Sequence, residues 1–221
     1  MNESSLRQEL LGVCEWLARS GFTPGTTGNA SARLGGDGTM LITPGGVPYA
    51  DVGAEDLVPV DSAAGPAADS RPSSEWRLHA AIYRARPDAR AVVHAHPRAA
   101  TALACLRRPI PAFHYMVASA GGSAIPCAAY ATFGTDELAD SVVRTLGAYL
   151  RACLMANHGL VALGAGPAAA LALARDVEAL ADQYLGALAA GRPALLADEE
   201  MERVAKQLAA YGYRSVQSRI G

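Results

Sequence analysis

The sequence predicts a mixed α/β domain, on three observations. Helix-period and strand-period segments are interleaved along the chain, without the strict strand–helix alternation of a doubly wound parallel sheet. The 221 residues are 51% hydrophobic and 18% charged, enough apolar content to pack one sizeable core. No internal repeat is visible, and the one stretch rich in Ala, Gly and Pro reads as a loop, so residues 1–221 are expected to form a single domain.

The elements follow in order. Residues 4–20 carry Leu6, Leu10, Val13, Cys14 and Leu17 at helical spacing, and Gly21 is a natural stop. A polar loop, Thr23-Pro24-Gly25-Thr26-Thr27-Gly28-Asn29, leads to short strands near 30–34 and 39–43. Pro44-Gly45-Gly46 makes a turn, 57–60 is a further strand, and 63–71 is an exposed loop. A helix is expected over 74–86, ending before Pro87, then a strand carrying Val92-Val93-His94-Ala95-His96, then a helix over 97–106. Segments 110–119 and 125–130 read as extended. Helices are expected over 135–150, 167–190 (with Pro167 in the first turn) and 199–211, with one strand over 153–163 between the first two.

Composition excludes several classes. A net charge of -2 leaves no electrostatic footprint for nucleic acid. No apolar run reaches the roughly 18 residues of a membrane span. The start lacks a basic leader followed by an apolar stretch, so no secretory signal is expected. Cys14, Cys105, Cys127 and Cys153 are scattered without a Cys-x-x-Cys pair, as buried reduced thiols of a cytoplasmic protein would be.

The most telling stretch is His94-Ala95-His96. In a strand, residues i and i+2 point to one face, so the two imidazoles stand side by side, as two ligands of a divalent metal do. The alternative is a solvent-facing or hydrogen-bonded pair. A catalytic zinc needs a third ligand and an open position. Among five histidines, His158 in Asn157-His158-Gly159 could complete the set from the later strand, or could be a core or turn residue. His79, four residues after Glu75 on the same helix face, could be a metal ligand or a surface partner of Glu75, and a structural role is favoured. Glu75 opens its helix behind Ser73-Ser74, either of which could be the N-cap. An acid there complements the helix dipole; beside a metal it would serve as ligand or general base. Gly28-Asn29, Gly45-Gly46 and Ser73-Ser74 are three donor-rich turns that, if they converge, would hold a phosphate. Gly164-Ala165-Gly166-Pro167-Ala168-Ala169 imitates a dinucleotide fingerprint. The acid that should follow falls inside a helix, over Asp176 to Asp182, so a tight strand-to-helix turn is expected instead.

Taken in order, these stretches resemble the class II aldolase/adducin family. The matching segments are 25–29, 41–49, Pro72-Ser73-Ser74-Glu75-Trp76-Arg77, 91–96, 110–116, 125–135, 157–160 and Tyr211-Gly212. The resemblance runs nearly the whole chain in collinear order and is nearest the aldolase branch that acts on L-fuculose 1-phosphate. It implies a mainly antiparallel central sheet with helices on both faces, assembled as a homotetramer with active sites between subunits. It places one Zn²⁺ per subunit on His94, His96 and His158, with Glu75 as fourth ligand at rest and catalytic carboxylate. It assigns the substrate phosphate to Thr26 or Thr27, Asn29, Gly45, Gly46, Ser73 and Ser74. The related aldolase has a hydroxyl residue where this chain has Gly45, so one phosphate contact is lost or replaced by a backbone N–H.

The implied reaction is reversible cleavage of a ketose 1-phosphate to dihydroxyacetone phosphate and an aldehyde such as L-lactaldehyde. Tyr115 matches a tyrosine that protonates the aldehyde oxygen from the neighbouring subunit. Phe133 matches an aromatic at the aldehyde end, and Tyr211 a tyrosine that closes the site from a C-terminal tail over about 205–221 that can move. Three rivals remain: a 5-deoxyribulose or methylthioribulose 1-phosphate aldolase, a sugar-phosphate 4-epimerase, and a non-catalytic adducin-like scaffold. The epimerase branch carries Asp where this chain has Glu75, and the scaffold lacks the histidine set.

Overall fold

The computed structural model describes residues 2–36 and 38–210; Tyr211 and the end of the proposed tail lie outside the described residues. Eight strands among these residues form one sheet. They are β1 (Asn29–Arg33), β2 (Thr39–Ile42), β3 (Val58–Asp61), β4 (Gly65–Pro66), β5 (Ala91–Ala95), β6 (Cys127–Ala128), β7 (Ala152–Met155) and β8 (Gly159–Gly164). Their order is β4-β3-β2-β1-β5-β8-β7-β6. Every pairing is antiparallel except β6 with β7. The expected α/β domain with a mainly antiparallel sheet is therefore what the chain forms.

The described residues also form six α-helices: α1 (Glu3–Ser20), α2 (Trp76–Ala85), α3 (Arg98–Cys105), α4 (Asp136–Leu146), α5 (Pro167–Ala190) and α6 (Asp198–Ala210). The period-2 alternation of the strands divides the core in two. Leu41, Val93, Leu154 and Leu160 face α1, α3, α5 and α6. Met40, Ile42, Val92, Cys153, Met155, Val161 and Leu163 face α2 and α4. Each large aliphatic side chain buried this way contributes roughly 1.5–3 kcal/mol.

Helix ends follow from local chemistry. The Asn2 side chain accepts from the Ser5 N–H at 2.8 Å, and Gly21 closes α1 in the left-handed region. No side chain at Pro97 caps α3; Glu178 of α5 accepts from the Ala99 and Ala100 N–H groups at 2.8 and 2.7 Å. The strand-to-helix turn at Gly164 is tight, as expected, since a Cβ there would strike the Ala170 backbone nitrogen.

Five expectations change. The strand expected over 153–163 is a hairpin, β7 and β8, whose loop holds Asn157 at φ +55°, a conformation Asn tolerates better than most residues. His158 therefore sits in a turn, not inside a strand. Segment 110–119 is extended only at Ile110, which bridges Ile125; residues Tyr115–Ala120 form a 3-10 helix, started by the His114 side chain accepting from the Met116 N–H. Small buried residues there match either period. The loop over 63–71 contributes the short β4, and α4 ends at Leu146 because Gly147 leaves the helical region. Finally, all four cysteines are free, but only Cys14 and Cys153 are buried; Cys105 is exposed and Cys127 half-buried.

Candidate active site

The site is built where β1 and β5 end beside the start of α2. Asn29 pairs with His94 across the two strands. Alternation turns Asn29, Ser31 and His94 toward α2, and all three are buried. His96 follows β5, and the β7–β8 hairpin brings His158 beside it. The three ring centroids lie 4.7–4.8 Å apart, and one nitrogen from each falls within 4.8 Å of the others. Gly159 permits this approach: a Cβ there would sit 2.7 Å from His96 Cδ2.

Glu75 completes the cluster. It immediately precedes α2, so the helix begins two residues later than expected, and neither serine is the N-cap, although the Ser73 hydroxyl accepts from the Glu75 N–H at 3.3 Å. Glu75 Oε2 lies 3.0 Å from His94 Nε2 and accepts from Asn29 Nδ2 at 3.0 Å. Oε1 lies 3.5 Å from His158 Nε2, is buried, and accepts no hydrogen bond. Burial pushes the Glu75 carboxyl up, but His94, His158 and Asn29 outweigh it and hold the group well below the carboxylate range. Burial and the nearby His94 charge lower His96 to about 3 and His158 to about 4. Burial lowers His94 too, but Glu75 more than compensates and the net shift is upward.

This donor set fits a divalent metal. Three imidazoles and a carboxylate match the nitrogen and oxygen ligands of zinc. Near neutral pH, His96 and His158 keep their lone pairs and Glu75 its charge, as ligation requires. His94 Nδ1 donates to the Leu160 carbonyl at 2.8 Å, which leaves Nε2 free to ligate and fixes the ring. The orphaned Glu75 Oε1 is an acceptor without a partner, which a cation satisfies.

Above the cluster lies a cavity of about 460 Å³. Thr26, Thr27, Asn29, Gly45, Gly46, Ser73, Ser74, Glu75, His96, His158 and Phe133 all line it, so the three turns do converge. They are not equally available. The Thr27 hydroxyl donates to the Pro24 carbonyl at 2.6 Å, and the Gly45 N–H donates to the Arg71 carbonyl at 3.1 Å. Gly45 thus lacks both the hydroxyl of the related aldolase and an unengaged N–H. His79, read as structural, bonds Ser31 and Asn29 and not Glu75 itself. Tyr115 does not line this cavity; it is 49% exposed and stacks on His114. Tyr130 and Asn157 line the wall without having been singled out. The positive φ that Asn tolerates was a usable signal at Asn157; at Tyr130, an exposed aromatic beyond β6, none was.

Comparison with known proteins agrees with this geometry. Residues 8–185 match the family model described as class II aldolase and adducin N-terminal domain. The chain is 46% identical over 215 residues to the L-fuculose phosphate aldolase of Escherichia coli, covering 97% of this chain and 99% of that one. It is 47% identical over 208 residues to the 5-methylthioribulose-1-phosphate/5-deoxyribulose-1-phosphate aldolase of Rhodospirillum rubrum, covering 94% and 93%. A solved structure of an L-fuculose 1-phosphate aldolase superposes with a TM-score of 0.87 at 38% identity, covering 93% of this chain and 96% of the other. The chain belongs to the class II aldolase and adducin family, as a metal-dependent aldolase, a carbon–carbon lyase.

Proposed function

We propose that the protein is a zinc aldolase that reversibly cleaves a ketose 1-phosphate, L-fuculose 1-phosphate or a close relative, to dihydroxyacetone phosphate and a short aldehyde such as L-lactaldehyde. One observation carries the reading: His94, His96, His158 and Glu75 form one cluster, and the last three line a cavity that the three donor-rich turns also line. When bound, the metal supplies Lewis acidity to the substrate's carbonyl and hydroxyl oxygens. Glu75, buried and anionic, is the base that moves the proton at the carbon next to the carbonyl. Ser73, Ser74, Thr26 and the Gly46 turn take the phosphate, with Asn29 at the floor between phosphate and carboxylate. Phe133 lines the aldehyde end, where Tyr130 joins it.

The proposed tyrosine acid is consistent with an assembly. Tyr115 is exposed and off its own cavity, so it serves a neighbouring copy in a homotetramer. Among the described residues no helix is long and apolar enough to cross a membrane, and we place the enzyme in the cytoplasm. A second reading, cleavage of 5-deoxyribulose or methylthioribulose 1-phosphate, is favoured by the Rhodospirillum relative, which is as similar as the Escherichia one.

The test is a coupled assay for dihydroxyacetone phosphate release from L-fuculose, L-rhamnulose, 5-deoxyribulose and methylthioribulose 1-phosphates. Turnover of one or more is expected, and the best kcat/KM names the sugar. No release from any of them refutes the assignment. Stoichiometric zinc in the purified protein is expected; its absence counts against the metal.

A further inference from the structure

Behind Glu75 runs a buried chain of polar groups that leads from Asn29, at the cavity, to three residues that line no part of it. Tyr83 and His79 of α2 and Ser31 and Asn29 of β1 lie in the chain, each nearly inaccessible to solvent. Tyr83 Oη is 2.8 Å from Ser31 Oγ, Ser31 Oγ is 2.6 Å from His79 Nδ1, and His79 Nε2 is 2.5 Å from Asn29 Oδ1. Asn29 Nδ2 then reaches both Glu75 Oε2 at 3.0 Å and Ser73 Oγ at 2.9 Å.

Only one arrangement of protons satisfies this chain. A carboxylate only accepts, so the amide nitrogen of Asn29 must face Glu75. Asn29 Oδ1 then faces His79 and must accept, so His79 carries its hydrogen on Nε2. His79 Nδ1 is left as an acceptor, so Ser31 donates to it and in turn accepts from Tyr83. Burial, reinforced by the nearby His94 charge, lowers His79 to about 3 and keeps it neutral, with one hydrogen and one lone pair. Every bond therefore runs one way, from Tyr83 to Glu75. The far end has a second consequence. Ser73 Oγ accepts from Asn29 Nδ2 and from the Glu75 N–H, so its lone pairs are occupied. Its own hydrogen is left to donate, and Ser73 lines the cavity.

We propose that His79 is a positioning residue: its Nε2–H tautomer locks the Asn29 amide so that Glu75 is held for its task and the Ser73 hydroxyl presents a donor to an anion. The assignment rests on the aldolase reading of the site. It predicts that the cavity favours ligands that accept hydrogen bonds at Ser73, as a phosphate does, over ligands that donate there.

Two variants and one spectrum test it. His79→Leu removes the donor to Asn29; His79→Gln keeps an amide N–H near the place of Nε2. Zinc affinity is measured by chelator competition on each folded protein, beside kcat and KM for the best substrate. His79→Leu should weaken zinc about tenfold or more and lower kcat by a similar factor, the scale of other outer-shell changes. His79→Gln should recover both to within about threefold of wild type. Equal losses in both variants, or no loss in either, would overturn the proposal. The spectrum covers the case in which His79→Leu does not fold: in histidine-labelled wild type, the nitrogen shifts of His79 should report a neutral ring with hydrogen on Nε2. Hydrogen on Nδ1 would overturn the proposal directly. A wild type that binds zinc but cleaves no sugar phosphate would sink the aldolase reading alone, since zinc affinity and the spectrum would still decide the role of His79.

Discussion

Gly28→Ala is expected to damage the metal centre through the backbone, and Gly25→Ala, three residues away in the same loop, is its control. Both glycines hold positive φ, +80° at Gly28 and +59° at Gly25. An alanine there costs roughly 1–2 kcal/mol, offset by about 0.4–1 kcal/mol because the unfolded chain loses freedom. At Gly25 nothing lies within 4 Å of the added Cβ, so the net loss should stay near 1 kcal/mol. At Gly28 the Cβ would sit 2.7 Å from the His94 carbonyl oxygen and 3.3 Å from Ala95 Cα. Those are backbone atoms of β5 and cannot rotate away. Relieving the overlap adds about 1–3 kcal/mol and pushes on the strand that carries His94. For a chain of this size each kcal/mol lowers Tm by about 2–4 °C, so Gly28→Ala should melt about 2–12 °C below Gly25→Ala. Thermal unfolding by circular dichroism reads the difference, and zinc affinity should fall only in Gly28→Ala. Equal melting temperatures and equal affinities would show that the loop does not brace β5 in this way.

Glu75→Gln should lower kcat by about 10²- to 10⁴-fold, because the amide keeps the shape but cannot take the proton; turnover close to wild type would remove Glu75 as the base. Metal-free protein should lose stability as pH falls below about 6.5, the ordinary histidine value, toward the lowered values of His79, His96 and His158. In that window the unfolded state binds more protons, and each such group contributes up to about 1.4 kcal/mol per pH unit. The upward shift of His94 works the other way, favouring the fold at low pH. Urea unfolding of wild type and His79→Gln between pH 7 and 4.5 should show a shallower slope in the variant; identical slopes would contradict a neutral buried His79. Tyr115→Phe should lower kcat while zinc content and assembly, measured by metal analysis and light scattering, stay the same. An unchanged kcat would return Tyr115 to a packing role.

The sequence by itself determined the metal pair and the elements around it. His94 stands on β5 and His96 one residue beyond its end, yet the i, i+2 spacing still sets their rings 4.7 Å apart, and the apolar residues of α1 repeat at the helical period whatever they pack against. Asn29, Glu75 and the Gly and Ser turns could be named as candidates because their chemistry is local. Tertiary structure alone decided what those groups do to one another. His158 joins the cluster because the chain reverses at Asn157, where a single positive φ turns one expected strand into a hairpin. The Gly45 N–H faces Arg71 because residues 44 and 72 form a bridge. His79 could be assigned a structural role from its helix, but its partners lie 48 and 50 residues away on β1. The direction of the proton chain through it depends on which donors and acceptors those contacts leave unpaired. Periodicity reports which face a residue is on; only the packed sheet and helix report what it meets there.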